Sequence, residues 1–217
     1  MEIKLPVPYF NQVNNETRYH GSGSRQCCLT SNAMAAEYLL ASRKLKTLAQ
    51  RTAEWGLNEP ESAYGKILDK YGDTTDHEAN GLALKELGLE SYFSTTLSIT
   101  NLIASLKANV PPVIGLHYKS SGHIVTPVGC KIIFKSPGNS PMGMGKGIGE
   151  WDLNKSFFWV HDPYGIRAGI ADYYEAVGGQ SGRYDKYSFR IMGELWEIKN
   201  DGWGRIFTSI GGKPTGL

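Results

Sequence analysis

Two consecutive prolines, Pro111 and Pro112, divide the chain into halves with different periodicity. Before them, apolar residues recur at three- and four-residue spacings, which predicts helices with one buried face. After them come runs of β-branched and aromatic residues separated by glycine-rich turns, which predict antiparallel strands. This order favours an α+β fold. We expect one domain, residues 1–217, with a mainly helical half, 1–110, and a mainly sheet half, 111–217.

The sheet half contains four predicted strands and one long predicted loop. The strands are Val113–Tyr118, Ile124–Phe134, Ser156–Val160 and Tyr187–Ile198. Residues 136–149, rich in glycine and proline, predict a loop that is either a mobile hairpin tip or a functional border. We expect this loop and the aromatic residues Trp196 and Trp203 to border a cleft, although the tryptophans also suit a core strand.

A helix predicted from Gln26 to Leu40 begins at two adjacent cysteines, Cys27 and Cys28. A thiol in the first turn of a helix faces unpaired backbone N–H groups and the positive end of the helix dipole. Both favour the thiolate and lower the thiol pKa from about 8.5. Free cysteines are also often buried as small apolar residues. The pattern therefore indicates either a nucleophile or a buried structural pair.

Composition excludes several classes of protein. The net charge is only +2 and the basic residues are dispersed, which argues against a nucleic-acid partner. Three cysteines are an odd number for a disulfide framework, so thiol chemistry is the better interpretation. We expect no membrane insertion, because no apolar run reaches about 18 residues, and synthesis in the cytoplasm without a signal peptide. The sequence leaves the oligomeric state open.

His123 and Asp162 are the candidate partners of a nucleophilic thiol. A cysteine hydrolase needs a base for its thiol, a group that orients the base, and a donor for the oxyanion. His123 stands where a turn enters an apolar strand, and Asp162 ends the next apolar run, although each also suits a purely structural role. His117, His123 and His161 could bind a metal, but without HExxH or CxxC spacing we expect neither a metal nor another cofactor.

Four motifs, in this order along the chain, resemble those of the bacteriocin-processing cysteine peptidases, which remove double-glycine leaders, and of their stand-alone relatives. They are Val7-Pro8-Tyr9-Phe10-Asn11-Gln12, Cys27-Cys28-Leu29-Thr30-Ser31-Asn32-Ala33-Met34, Gly122-His123-Ile124-Val125 and Asp162-Pro163-Tyr164-Gly165. The resemblance covers roughly residues 5–166. It implies a papain-like domain in which the helix of the nucleophile packs on the C-terminal antiparallel sheet.

The resemblance also implies a role for each site residue. The nucleophile would be Cys27, the base and general acid His123, the orienting carboxylate Asp162, and the side-chain oxyanion donor Gln12, with the backbone N–H of Cys27 as second oxyanion donor. The implied reaction is hydrolysis of a peptide amide bond through a thioester, without a cofactor.

Two departures from the family pattern follow the nucleophile. Cys28 and Leu29 stand where the family has glycine and proline, which leaves Cys28 as an alternative thiol, although the alignment favours Cys27. The loop formed by residues 13–26 is also long, so Gln26 remains a weaker substitute for Gln12.

For the substrate, the sequence favours bacterial cell-wall peptide. The best-known family members cut leader peptides while fused to a membrane transporter, whereas this chain shows neither a transmembrane segment nor a P-loop. A stand-alone, slightly basic protein resembles a phage-type lysin released to an anionic wall. The alternatives are an ordinary protein or propeptide substrate, a cell-wall amidase of another Cys/His hydrolase family, or a non-catalytic binding protein with a papain-like fold.

Overall fold

A computed structural model describes residues 1–117, 122–135, 151–167, 174–198 and 201–217. The predicted loop at 136–149 lies outside these described residues. Within them, helices combine with antiparallel strands, which confirms the α+β class. The papain-like arrangement and the single domain stay predictions. No helix in the described ranges combines the length and apolar character that crossing a lipid bilayer requires.

The longer helices lie in the first half of the chain, before Pro111 and Pro112. They are α1 (Cys27–Ser42), α2 (Leu48–Trp55), α3 (Pro60–Leu68), α4 (His77–Glu86) and α5 (Ile99–Lys107). Local signals fix their starts: the Thr47 side chain caps α2 in a capping box, Pro60 occupies the first position of α3, and Asp76 accepts the first free N–H groups of α4. Single-turn 3-10 helices at Gln12–Asn14 and Gly23–Arg25 lead into α1.

The sheet draws strands from the whole length of the chain. Its strands are β1 (Glu2–Lys4), β2 (Leu89–Ser94), β3 (Val113–His117), β4 (Gly122–Lys131), β5 (Phe157–His161), β8 (Asp185–Ser188), β9 (Gly204–Ile210) and β10 (Lys213–Pro214), while β6 (Gly165–Arg167) and β7 (Tyr174–Val177) form a separate hairpin. The order is β10-β9-β3-β4-β5-β8, with β1 added to β4 and β2 added to β9. All described pairings are antiparallel, and β1 and β2 show that the first half is not purely helical.

The strand predicted at Tyr187–Ile198 is wrong for most of its length. Strand β8 ends at Ser188, and the chain continues as a short helix α6 (Phe189–Met192) and a π-helical turn (Gly193–Ile198). The Ser188 side chain accepts the N–H of Ile191 and so caps the new helix. The apolar residues of the segment after Ser188 are therefore buried at helical rather than strand spacing.

Helix α1 is joined to β4 by two hydrogen bonds that point in opposite directions. Ser31 Oγ donates to the carbonyl oxygen of Ile124 at 3.0 Å, and Thr126 Oγ1 donates to the carbonyl oxygen of Ser31 at 3.1 Å. Ser31 lies about one helical turn after Cys27, and Ile124 directly follows His123. These bonds therefore fix the helix that carries the thiol against the strand that carries the imidazole.

Candidate active site

The N-terminus of α1 is capped by a residue that is distant in sequence. Gln26, at the N-cap position, makes no side-chain cap, and the N–H of Leu29 instead donates to Thr74 Oγ1 at 3.2 Å. A proline at position 29 would have no N–H for this bond. The departure from the family pattern at Leu29 therefore has a structural use, which is to tie the segment between α3 and α4 to the start of α1.

The sulfur of Cys27 accepts hydrogen bonds from His123 and from the backbone N–H groups of Ile124 and Cys28. Burial alone would raise the pKa of this thiol, but the hydrogen bond and positive charge of His123 outweigh burial, and the pKa of Cys27 is lowered. The side chain is only partly exposed. The environment thus favours a thiolate at the start of the helix.

His123 lies between Cys27 and Asp162. Its Nε2 is 2.7 Å from Asp162 Oδ1, and the ring is 8% exposed. Burial opposes the charged ring, but the negative charge and hydrogen bond of Asp162, together with Cys27, raise the pKa of His123 to about 10. The lowered pKa of Cys27 and the raised pKa of His123 both favour a thiolate–imidazolium pair over the neutral pair.

Asp162 is fully buried and both of its oxygens accept hydrogen bonds. Oδ1 accepts from His123 and from the Tyr164 N–H at 2.9 Å, and Oδ2 accepts from the hydroxyls of Tyr174 at 3.1 Å and Tyr187 at 2.9 Å. Burial would raise the pKa of Asp162, but the charge of His123 and these donors hold it below the usual value. The sequence prediction missed both tyrosine hydroxyls, because Tyr187 lies in a run that predicts a strand and Tyr174 lies in none of the four motifs.

Cys28, the alternative thiol, has Asn32 and not His123 as its hydrogen-bond partner. It is buried, and its sulfur accepts from Asn32 Nδ2 at 3.4 Å. Burial, with the charge of Cys27 adding to it, raises the pKa of Cys28 to about 12. A thiol with that pKa is protonated at neutral pH and is a poor nucleophile.

Gln12 lies beside Cys27 but already uses its amide group. It is 1% exposed, its Nε2 donates to the carbonyl oxygens of Gly23 at 2.9 Å and Ser24 at 3.2 Å, and its Oε1 has no hydrogen-bond partner among the described residues. Gln26, its possible substitute, donates to three carbonyl oxygens of the preceding loop and accepts from Asn15. Gln26 therefore holds the loop together and has no free donor group.

His161 and His117 lie apart from this arrangement. His161 is fully buried, with Nε2 3.0 Å from the carbonyl oxygen of Val7 and Nδ1 accepting from the N–H of Tyr184. Burial lowers its pKa to about 4. His117 is exposed at the end of β3. Within the part of the chain that the structure describes, no group of three or more His, Cys, Asp or Glu side chains is placed to hold a metal ion.

Cys27 and His123 lie where two cavities meet. A cavity of about 270 Å³ has walls that include Leu116, Ile124 and Trp203. A second cavity, of about 230 Å³, is lined by these two residues together with Gln12, Ser24, Gly122, Tyr164 and Tyr174. Of the two tryptophans expected at the cleft, Trp203 lines it and Trp196 is fully buried in the core.

Comparison with known families gives a match over most of the chain. The model described as the Peptidase_C39 like family matches residues 4–190, which is most of the chain and includes Gln12, Cys27, His123 and Asp162. Searches of curated proteins and of solved structures found no match.

Proposed function

The chain belongs to the Peptidase_C39 like family, and on this basis we propose that it is a thiol-dependent peptidase whose nucleophile is Cys27. The family supports a cysteine peptidase in general. The observation that carries the specific proposal is the series of hydrogen bonds from the Cys27 sulfur through His123 to the buried carboxylate of Asp162. A cysteine and a histidine that share a hydrogen bond, have shifted pKa values and open to two cavities are typical of a nucleophile and its base.

In this mechanism the thiolate of Cys27 attacks the carbonyl carbon of a peptide bond and forms a tetrahedral intermediate. The imidazolium of His123 then gives its proton to the leaving nitrogen, the C–N bond breaks, and a thioester and a free amine remain. A water molecule loses a proton to His123 and attacks the thioester, which releases a carboxylic acid and restores the ion pair. Asp162 keeps the ring oriented and stabilises its charged form.

The oxyanion would accept a hydrogen bond from the backbone N–H of Cys27, because the first N–H groups of a helix have no acceptor within the helix. Gln12 is the proposed second donor. Both of its amide hydrogens point to backbone carbonyl oxygens, so one bond, to Gly23 or to Ser24, must be released before Gln12 donates to substrate. The packing of α1 on β4 supports the papain-like arrangement that the sequence predicts.

The two adjacent cysteines provide a matched test of this proposal. Cleavage of a proteome-derived peptide library by the wild type should be lost in Cys27→Ser and retained in Cys28→Ser. Iodoacetamide near neutral pH should label Cys27 in the wild type and leave Cys28 unlabelled. Activity that survives in Cys27→Ser, or is lost only in Cys28→Ser, would contradict the assignment. A wild type that cleaves no peptide would favour the non-catalytic binding protein.

Two substrate classes remain within this chemistry. The resemblance to stand-alone relatives and the net charge of +2 support a phage-type lysin that cuts cell-wall peptide. The apolar walls of the larger cavity favour instead a protein or propeptide with bulky apolar side chains. Release of new amino groups from purified peptidoglycan, compared between wild type and Cys27→Ala, tests the first class. Equal signals from both proteins, with the peptide library still cleaved by the wild type, would reject the wall substrate and keep the peptidase.

A further inference from the structure

The cavity of about 270 Å³ beside Cys27 is lined by both apolar and polar residues. Leu116, Ile124 and Trp203 form its apolar walls, while Arg25, Thr75 and His77 lie among its polar lining residues. Arg25 is paired with Asp73 at 3.2 Å. Burial and the charge of Arg205 lower the pKa of His77, which keeps that ring neutral at pH 7. Apart from the thiolate and imidazolium themselves, the described lining therefore offers a substrate side chain no unpaired charge.

Trp203 forms a fixed wall of this cavity. Its carbonyl oxygen accepts from the N–H of Gly115 at 3.2 Å and from Trp196 Nε1 at 2.7 Å. Its ring also makes edge contacts with His77 at 4.5 Å and Phe93 at 5.0 Å between centroids. These contacts hold the indole in place without filling the cavity.

The indole can occupy this position because residue 115 is glycine. A Cβ at Gly115 would lie 2.4 Å from the six-membered ring of Trp203, which is closer than two carbon atoms can approach. The aromatic ring therefore packs directly on the backbone of β3. Any side chain at position 115 would displace the indole from its present place.

We infer that this cavity is the subsite for one bulky apolar side chain next to the cleaved bond, and that Trp203 is its specificity-determining residue. The inference rests on the proposed peptidase function. A cleft restricted to glycine would need walls close to the substrate backbone, whereas this cavity has the volume and apolar lining for a leucine or phenylalanine side chain. Trp203 follows the matched residues 4–190, so the family match does not supply this wall.

The test compares wild type with Trp203→Ala and Trp203→Phe on a proteome-derived peptide library, with both sides of each cleaved bond read by mass spectrometry. We expect leucine, isoleucine, phenylalanine or methionine at one position within two residues of the cleaved bond. Model peptides with leucine at that position should exceed matched alanine peptides in kcat/KM by about 10- to 200-fold, the range that hydrophobic pockets provide. Trp203→Ala should reduce this ratio to about threefold or less, while Trp203→Phe retains most of it.

Three controls separate a lost subsite from a damaged protein. Trp55→Ala, which removes an aromatic residue of α2 that does not line the cavity, should leave the ratio unchanged. The alkylation rate of Cys27 by iodoacetamide should be equal in all variants, because this small reagent needs no subsite. Gly115→Ala displaces the indole without removing it and should lower the ratio as Trp203→Ala does.

Other results would overturn the inference. Preference for glycine or a charged residue at every position near the cleaved bond would refute it, and so would an apolar preference that is equal in wild type and Trp203→Ala. Both outcomes leave the peptidase function standing. Absence of any cleavage by the wild type, with Cys27 still reactive towards iodoacetamide, would instead contradict the proposed function and this subsite together.

Discussion

Replacement of Asp162 by asparagine is expected to weaken the thiolate form of Cys27 while it preserves the shape of the site. Four groups in the described part of the chain donate hydrogen bonds to the Asp162 carboxylate. An asparagine oxygen can still accept from His123, and its amide nitrogen can donate to the hydroxyls of Tyr174 and Tyr187, which rotate to accept. The substitution therefore removes a buried negative charge with little loss of packing.

The size of the effect follows from the 2.7 Å bond between His123 Nε2 and Asp162 Oδ1. A hydrogen bond to a charged group contributes about 1.5–3 kcal/mol. Because one pKa unit corresponds to about 1.4 kcal/mol, the pKa of His123 should fall by about one to two units and the pKa of Cys27 should rise comparably. The population of the thiolate–imidazolium pair, relative to the neutral pair, should decrease by about 10- to 100-fold.

The assay is the rate of alkylation of Cys27 by iodoacetamide as a function of pH. Below neutral pH the Asp162→Asn variant should react more slowly, and the two rates should converge in alkaline solution, where both thiols are ionised. A thiolate of higher pKa is the better nucleophile, which offsets part of the effect. Below neutral pH the alkylation rate of Asp162→Asn should therefore be lower than that of the wild type by about tenfold. Asp152→Asn, which changes a partly exposed loop carboxylate that accepts backbone N–H groups, is the matched control. Superimposable profiles for wild type and a folded Asp162→Asn would refute the reasoning.

Three further outcomes are expected. Thr74→Val removes the hydroxyl that caps Leu29 and should lower the free energy of unfolding by about 1 kcal/mol in urea titrations, so an unchanged midpoint would argue against this cap. His161 has its pKa lowered to about 4 and accepts the Tyr184 N–H, so the unfolded chain binds a proton that the folded protein does not. The free energy of unfolding should therefore fall by about 3 kcal/mol as the pH drops from about 6.5 to about 4. His161→Gln should show a smaller fall over the same pH range, and an equal fall would assign the effect to other groups. Gln12→Ala should lower kcat by about 10²- to 10³-fold with the alkylation rate of Cys27 unchanged, and an unaltered kcat would remove Gln12 from the oxyanion site.

The local parts of the structure were predictable from the sequence. Helix α5, Ile99–Lys107, follows from local signals, because its apolar spacing, its Ser98 cap and the prolines beyond it all agree. The motifs around Cys27, His123 and Asp162 also bring these side chains into one hydrogen-bonded series. Short-range patterns and ordered motifs carry this information.

Long-range partners were not predictable in the same way. Residues 189–196 include the aromatic and β-branched residues Phe189, Ile191 and Trp196, which favour strand. However, Phe189, Met192 and Trp196 are buried at helical spacing. Tertiary packing therefore overrode β-propensity there. Contact between Gly115 and Trp203 joins residues far apart in sequence and depends on strand pairing between β3 and β9, which no local pattern indicates.

The bonds between Ser31, Ile124 and Thr126 have a consequence for when the protein can act. Ser31 and Thr126 are separated by 95 residues, and Asp162 lies 39 residues beyond His123. During synthesis the cysteine helix therefore emerges long before its base and the carboxylate. Until α1 docks on β4, the thiol has no imidazolium beside it and keeps the low reactivity of an ordinary cysteine. The proposed peptidase activity would therefore arise only when the fold is complete, and nascent or partly folded chains would lack it.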